Sequence, residues 1–546
     1  MKIVPLLLVA LTLAARADVS VPRTYGDYMV LQQGVKIPIR GWADAGELIQ
    51  VYLGPNVQQT QADAQGNWRV NFDAMTASAT PMTLAIGGRN AIEMHNITVG
   101  DVWLVVGDGA IGYQIHDEPN GNGLAAKMNN PMLRVYEMEN RPGIRPKTIG
   151  AGFWHTAAQP WAQGTSALAY FFGQELQQKL GQPVGLIVGS WGGQPIEGWM
   201  SKDSLQKIPG YEKPLADIAA REAIFPKNPV AQKATMEDWG QRLHDWDENQ
   251  NHPWIDAENN WAKARDAAIA AKQPLPPEPK ARPDPPKNPD GEPNEVTVLY
   301  NGMIAPFTNT PIRGVIWDLG ENAGNAPQFE TLLHALIDDW RQKWKSELPF
   351  IIVDLSNIGD RAPNPTDSGR ADIRGAQIAV ASAGPNTSLA QTIDLGAVHN
   401  GNPPPMPDIG KRIAAAALHI DGQNVPFEGP RFGSMAVEGG KIRVKYANPD
   451  VGLVLAASPD VSNTPPNDNP ALPLDAPLGF EVAGADKKWV NAKAQIDGNT
   501  VLVWSDAVPA PVAVRYAWSA NPPVNLYSKD GFPAVPFRTQ DWPANP

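Results

Sequence analysis

Four short, almost unbroken apolar runs constrain this chain more than any other feature. They are Val102 to Val106, Val184 to Val188, Gly314 to Trp317 and Phe350 to Leu355. A strand apolar on both sides must be covered on both sides, which is the pattern of a parallel sheet. Helical stripes lie between the runs. Leu168, Phe171, Phe172, Leu176 and Leu180 share one face, with Gly181 placed to end the helix. Phe329, Leu332, Leu333, Leu336, Ile337, Trp340 and Trp344 form a second stripe, and Ile409, Ile413, Ala416 and Ala417 a third. Strand followed by helix, repeated, predicts an α/β domain with a parallel sheet and helices on both faces.

The flanks read differently. Ile37 to Trp42, Leu48 to Leu53 and Trp68 to Phe72 alternate with period two, as do Lys441 to Tyr446 and Thr500 to Trp504. Both ends therefore predict small antiparallel β domains. Positions 219–271 are helix-prone, with Trp239, Trp246, Trp254 and Trp261 spread along them. Positions 273–293 then hold nine prolines, which predicts an extended surface arm. No fixed-period repeat is present. Expected boundaries are 1–17 leader, 18–98 N-terminal β domain, 99–204 and 296–420 the two parts of the α/β domain, 205–295 an insertion, and 421–546 a C-terminal β domain.

Composition excludes several chemistries. With no cysteine among 546 residues, disulfides, thiolate catalysis and iron–sulfur centres are out. Lys+Arg 45 against Asp+Glu 57 gives a net charge of −12, the wrong sign for general nucleic-acid binding. The 18 tryptophans are read first as core residues and only second as sugar contacts. Lys2, the apolar run Ile3 to Leu13 and Ala15-Arg16-Ala17 have the charge, core and cleavage pattern of a secretory leader. The run is too short for a membrane span of ~20 residues. A periplasmic or secreted protein is expected. The eight histidines show no closely spaced pair, and no phosphate-cradling loop is present, so no metal or cofactor is expected. The acidic stretch Asp245 to Glu248 reads as a solvated helix face.

In a parallel sheet the reactive groups lie beyond the carboxyl ends of the strands. Those positions hold Gly107-Asp108-Gly109-Ala110-Ile111, Gly189-Ser190-Trp191-Gly192-Gly193-Gln194, Asp318-Leu319-Gly320-Glu321-Asn322, and Asp394-Leu395-Gly396-Ala397-Val398-His399-Asn400. With these blocks the chain resembles the sialate O-acetylesterase family, carbohydrate esterases of the SGNH-hydrolase type. Tyr28-Met29-Val30-Leu31-Gln32, Gly100-Asp101-Val102-Trp103-Leu104, Tyr170-Phe171-Phe172-Gly173, Leu299-Tyr300-Asn301-Gly302-Met303-Ile304 and Val514-Arg515-Tyr516-Ala517-Trp518 follow in family order.

The resemblance implies a three-layer SGNH, flavodoxin-like α/β domain flanked by β domains. It also implies ester hydrolysis through Ser, His and Asp on an O-acetylated sugar. The family's Gly-Gln-Ser-Asn-Met appears here as Gly107 to Ile111, so Gly109 stands at the nucleophile position. The Asp expected two or three residues before the catalytic His is replaced by Gly396 or Ala397. His399 is retained, and Asn322 and Glu321 fall in the oxyanion block. Gly192 and Gly193 line the implied pocket, and Asp108 and Asp318 are carboxylates that could orient His399 as a base for water. Ser190 has a counterpart in the family and reads as structural. Three functions follow: a non-catalytic module that binds glycan or protein, an esterase using a displaced nucleophile or activated water, or a structural subunit reaching a protein partner through the Pro-rich insertion.

Overall fold

A computed structural model describes residues 18–320, 326–384, 386–396, 405–459, 472–540 and 542. The expected leader, 1–17, lies outside them. No helix among the described residues is long and apolar enough to cross a membrane.

The centre is a mixed sheet of β1 (Ala91–Gly107), β2 (Asn129–Met138), β3 (Gly152–Ala158), β4 (Val184–Ser190), β5 (Gly314–Asp318), β6 (Phe350–Val353) and β7 (Thr387–Ala390). Their spatial order is β7-β6-β5-β1-β4-β2-β3. All neighbours are parallel except the edge strand β3, which runs antiparallel to β2. Counting the parallel strands along the chain, the order is 2-3-1-4-5-6. That departs from the flavodoxin-like order 2-1-3-4-5, because β4 inserts between β1 and β2.

The double-sided burial read from the sequence is visible in β1. Val102, Leu104 and Val106 join an apolar cluster with Phe329, Leu332, Leu333 and Leu336. Trp103 and Val105 join another with Leu168, Phe172, Leu176, Ile409 and Ile413. The helices concerned are α2 (Ala167–Leu180), α6 (Ala326–Trp344) and α8 (Met406–Ile420), with α7 (Gly369–Ala383) between the last two along the chain. Ser166 caps α2 by accepting from the Ala169 N–H, and Gly181 ends it at φ 66°. Gly410 lets α8 press onto α2, since a Cβ there would lie 2.7 Å from the Phe172 backbone nitrogen. Four large indoles, Trp103, Trp199, Trp317 and Trp340, are fully buried, and the last three stack edge to face at 6.1 and 5.7 Å. Tryptophan serves the core first, as expected.

β1 is long enough to join two sheets. Its first half pairs with Ser78–Gly87 of the N-terminal strands and its second half with β4 and β5. The strand thus runs straight through position 98/99. At the other end, Phe432–Glu438, Lys441–Tyr446, Lys493–Asp497 and Thr500–Trp504 form one four-stranded sheet. Phe480–Ala483, Trp489–Asn491, Ala513–Tyr516 and Phe537–Arg538 form a second. Arg412 of α8 reaches back to Asp394 with two hydrogen bonds of 2.5 and 2.8 Å, and the Tyr527 hydroxyl donates to the same carboxylate at 3.0 Å.

The insertion contains α3 (Glu212–Ile224), α4 (Pro229–Trp246) and α5 (His252–Ala271). The Pro-rich segment after α5 is strapped along α4 and α5. The indole N–H groups of Trp239, Trp254 and Trp261 donate to the carbonyls of Pro286, Lys280 and Pro276, at 3.0, 2.7 and 3.2 Å. Arg282 sits over Trp246 and Trp254 at 5.5 and 5.9 Å. Prolines lack N–H donors but keep their carbonyls, so a row of indole donors is a natural fastening for such a strap.

Candidate functional site

β1 lies where the chain reverses its direction of travel across the sheet, so the crevice beyond its carboxyl end is the place to look for chemistry. Three strand ends meet there. Gly107 is in register with Ser190 on β4 and with Asp318 on β5. Gly107 has φ +143°, and a Cβ on it would lie 1.9 Å from the Asp318 carbonyl oxygen, so only glycine fits. Gly109 follows as the first residue of α1 (Gly109–Gly112).

Asp108 stitches this junction together and is 5% exposed. Its backbone N–H donates to the Asp318 carbonyl at 2.5 Å, and its Oδ1 accepts from the Gly193 N–H at 2.7 Å. The Ser190 hydroxyl donates to the Asp108 carbonyl at 3.1 Å, and the Trp191 N–H donates to the Gly107 carbonyl at 3.1 Å. Gly109, Asp108, Asp318, Gly192 and Gly193 are thus brought to one end of the sheet. Glu321, Asn322 and His399 lie outside the described residues. The N–H of Gly396, just before that last segment, donates to the Asn357 Oδ1 at 2.7 Å. A Cβ at Gly396 would fall 1.6 Å from the Asn357 carbonyl oxygen. No acidic side chain can be seated there without moving the backbone.

Beside α1 opens a cleft of about 510 Å³, within the size range of small-ligand sites. Tyr113, Gln114, Glu137, Asn140, Ser190 and Gly192 are among its lining residues. Glu137, near the end of β2, is opposite Phe153 on the edge strand β3. Its Oε1 is 3.3 Å from the Nε2 of His155, whose Nδ1 faces the Thr156 carbonyl at 3.0 Å. Phe153 and Trp161 are 44% and 47% exposed, with ring centroids 4.8 Å apart. Trp161 accepts the N–H of Gly164, another cleft residue, on its carbonyl. Two exposed aromatic rings beside a polar cleft suit the C–H face of a sugar.

Sequence reading missed Glu137, Phe153, His155 and Trp161. The signal available was the run of consecutive aromatic rings Phe153-Trp154-His155 ahead of Trp161. Close by, Glu118 is half-buried beside Asp117, and desolvation followed by the Asp117 charge pushes its carboxyl up to about 7. In the insertion, Asp247, Glu248 and His252 bring possible ligand atoms within 4.8 Å of one another on an exposed turn, an ordinary ion-paired helix surface.

No family model matches the chain. It is 24% identical to the sialate O-acetylesterase of Rattus norvegicus, over 91% of this chain and 89% of the relative. The enzyme of the same name from Mus musculus is 23% identical over 94% and 93%. Among solved structures, a carbohydrate acetylesterase from Xanthomonas citri superposes with a TM-score of 0.74 at 27% identity, covering 96% of this chain and all of that one.

Proposed function

We propose, from the premise that this chain is a homologue of the sialate O-acetylesterases, that it is an exported glycan-binding member which has lost acyl transfer. The observation that carries this reading is Gly109. It opens α1 at the crevice where the resemblance puts the serine, and it has no oxygen with which to attack an acyl carbon. The Gly396 cradle supports the same conclusion, because it excludes the orienting aspartate from one of its two expected places. Loss of a triad serine costs on the order of 10⁶ in turnover. The sheet, read as the middle layer of a three-layer SGNH domain, keeps the cleft while the attack is gone. Phe153 and Trp161 give that cleft a stacking surface for an O-acetylated sugar. Three carbonyls of the Pro-rich arm are held by tryptophans of the insertion itself, which favours a self-contained module over a subunit that uses the arm to hold a partner.

A second reading rests on Ser190, whose hydroxyl lines the cleft one strand from Gly107. In that case Ser190, or a water activated by His399, replaces the missing nucleophile. The two readings separate in one experiment. Acetate release from p-nitrophenyl acetate and from an O-acetylated sugar is measured for the wild-type protein and for Ser190→Ala, beside calorimetric titration with the same sugar. Binding without turnover is expected, and binding weakens in Trp161→Ala. Turnover abolished by Ser190→Ala, or an acyl adduct trapped on any side chain, overturns the proposal. Gly109→Ser combined with Ala397→Asp is the reconstruction to attempt, since position 396 admits no side chain.

A further inference from the structure

Two carboxylates line the cleft beside α1, those of Asp117 and Glu137, and no lysine or arginine is found among the described residues that line it. Asp117 is already engaged on both oxygens. Its Oδ2 accepts the Gln114 N–H at 2.9 Å, and its Oδ1 lies 3.1 Å from the Nε2 of His116. Glu137 is engaged on one. Its Oε1 lies 3.3 Å from the Nε2 of His155, while its Oε2 has no partner among the described residues and the side chain is 28% exposed. A carboxylate oxygen open to a cleft is a strong acceptor looking for an O–H or N–H donor.

The sheet fixes where that oxygen sits relative to the exposed rings. Glu137 is opposite Phe153 in the β2–β3 ladder, and residues paired in this way project to one face with Cβ atoms about 4.5–5.5 Å apart. His155, two positions along β3, shares the face of Phe153. The His155 side chain is buried, and its ring lies 5.6 Å from that of Phe153 and 5.7 Å from that of Trp161. The imidazole is thus a wedge between the aromatic pair and the carboxylate, and it ties the acceptor to the edge of the stacking surface.

We propose that Glu137, positioned by His155, is the specificity-determining residue of the cleft, and that the ligand is a neutral sugar with a free hydroxyl where it meets Oε2. The proposal rests on the glycan-binding reading of the cleft and adds the substrate class to it. A pyranose lying on Phe153 and Trp161 presents its rim of hydroxyls to Oε2. A hydroxyl donates to a carboxylate in a short, charge-assisted bond. An ester oxygen in the same place has no proton to give and sets lone pair against lone pair. O-acetylation is therefore accepted elsewhere on the ring and refused at that one position. A sugar acid meets two fixed negative charges with no lysine or arginine to offset them, and like charges brought together this way reject a ligand. Sialic acids, which carry a carboxylate, are refused on the same ground.

The test is titration of the full chain, followed by tryptophan fluorescence and saturation-transfer NMR. The probes are the methyl glycosides of glucose, galactose and mannose, each beside the same glycoside oxidised at C6 to the uronate and beside its per-O-acetate. At least one neutral glycoside is expected to bind about tenfold more tightly than its uronate at low salt, and the gap narrows as sodium chloride screens the charges. The per-O-acetate does not compete. Glu137→Gln keeps an acceptor oxygen and removes the charge, so most of the discrimination against the uronate disappears while near-ultraviolet spectra and melting stay as in the wild type. Glu137→Ala weakens the neutral ring about tenfold, the worth of a hydrogen bond to a charged group. His155→Gln gives a smaller loss, because it frees the carboxylate without removing it. Trp161→Ala weakens neutral ring and uronate alike. A uronate or per-O-acetate bound as tightly as its neutral glycoside by the wild type overturns the proposal and leaves the cleft reading standing, as does a preference for the neutral ring that survives Glu137→Gln. Failure of every probe to bind removes both. Acetate release by the wild type removes only the non-catalytic reading.

Discussion

Replacing Arg412 with methionine leaves Asp394 as a carboxylate whose side chain is 0% exposed, with the Tyr527 hydroxyl as its remaining side-chain donor. It also takes the guanidinium donor from the Gln391 carbonyl, now bonded at 2.7 Å. Removing one partner of a buried pair typically costs about 3–5 kcal/mol, because the charge left behind has lost both water and its counterion. Whole-domain stabilities are about 5–15 kcal/mol, so the loss takes a large part of the total. For a cooperative unit of about 150–250 residues each kcal/mol moves Tm by roughly 2–4 °C, giving a fall of roughly 6–20 °C. The assay is urea and thermal unfolding followed by the near-ultraviolet signal of the aromatic core. The double variant Arg412→Met with Asp394→Leu is expected to recover most of the loss, because two apolar groups of similar volume replace the pair without leaving a charge. A single-variant loss below about 1 kcal/mol, the worth of a surface ion pair, refutes the reasoning.

Two further outcomes are expected. Trp254→Phe keeps the ring but loses the N–H that holds the Lys280 carbonyl, costing about 1 kcal/mol locally. Cleavage after Lys280 in limited tryptic digestion should accelerate while global melting barely moves, and an unchanged cleavage rate counts against the fastening. Glu118, held up to about 7 from an ordinary 4.5, binds its proton more tightly in the folded state than in the unfolded one. Its protonation therefore favours folding at low pH, and that contribution is lost as pH rises from 4.5 to 7. Glu118→Gln should flatten the fall of Tm across that window, and a parallel slope in both proteins would refute the assignment.

Much of the sheet is legible because burial on both faces writes itself into contiguous residues. Val102 to Val106 needs no tertiary information to be read as an interior strand, nor does the stripe from Phe329 to Trp344 as its covering helix. The crevice is legible for the same reason, since it must follow the strand ends at Gly107, Ser190 and Asp318. What escapes the sequence depends on non-local pairing. Glu137 and His155 are 18 positions apart and meet only because β2 and β3 turn back on each other. The tryptophans of the insertion give no hint that their acceptors lie in the proline run, because an indole N–H carries no signature of where it will be satisfied. Gly396 looks like an ordinary loop glycine until the Asn357 carbonyl is seen against it. The strand order is equally hidden, since similar apolar runs do not declare which neighbour each will choose.

β1 is a single backbone shared by two sheets, and that has a mechanical meaning. An ordinary inter-domain tether bends and lets its ends drift. Here the tether is itself laddered on both halves, so tilting the amino-terminal strands would pry at the residues leading to Gly107. The strands between positions 30 and 87 are a splint for the crevice rather than an ornament hung beside it, and trimming them would leave that pivotal ribbon bare along half its length.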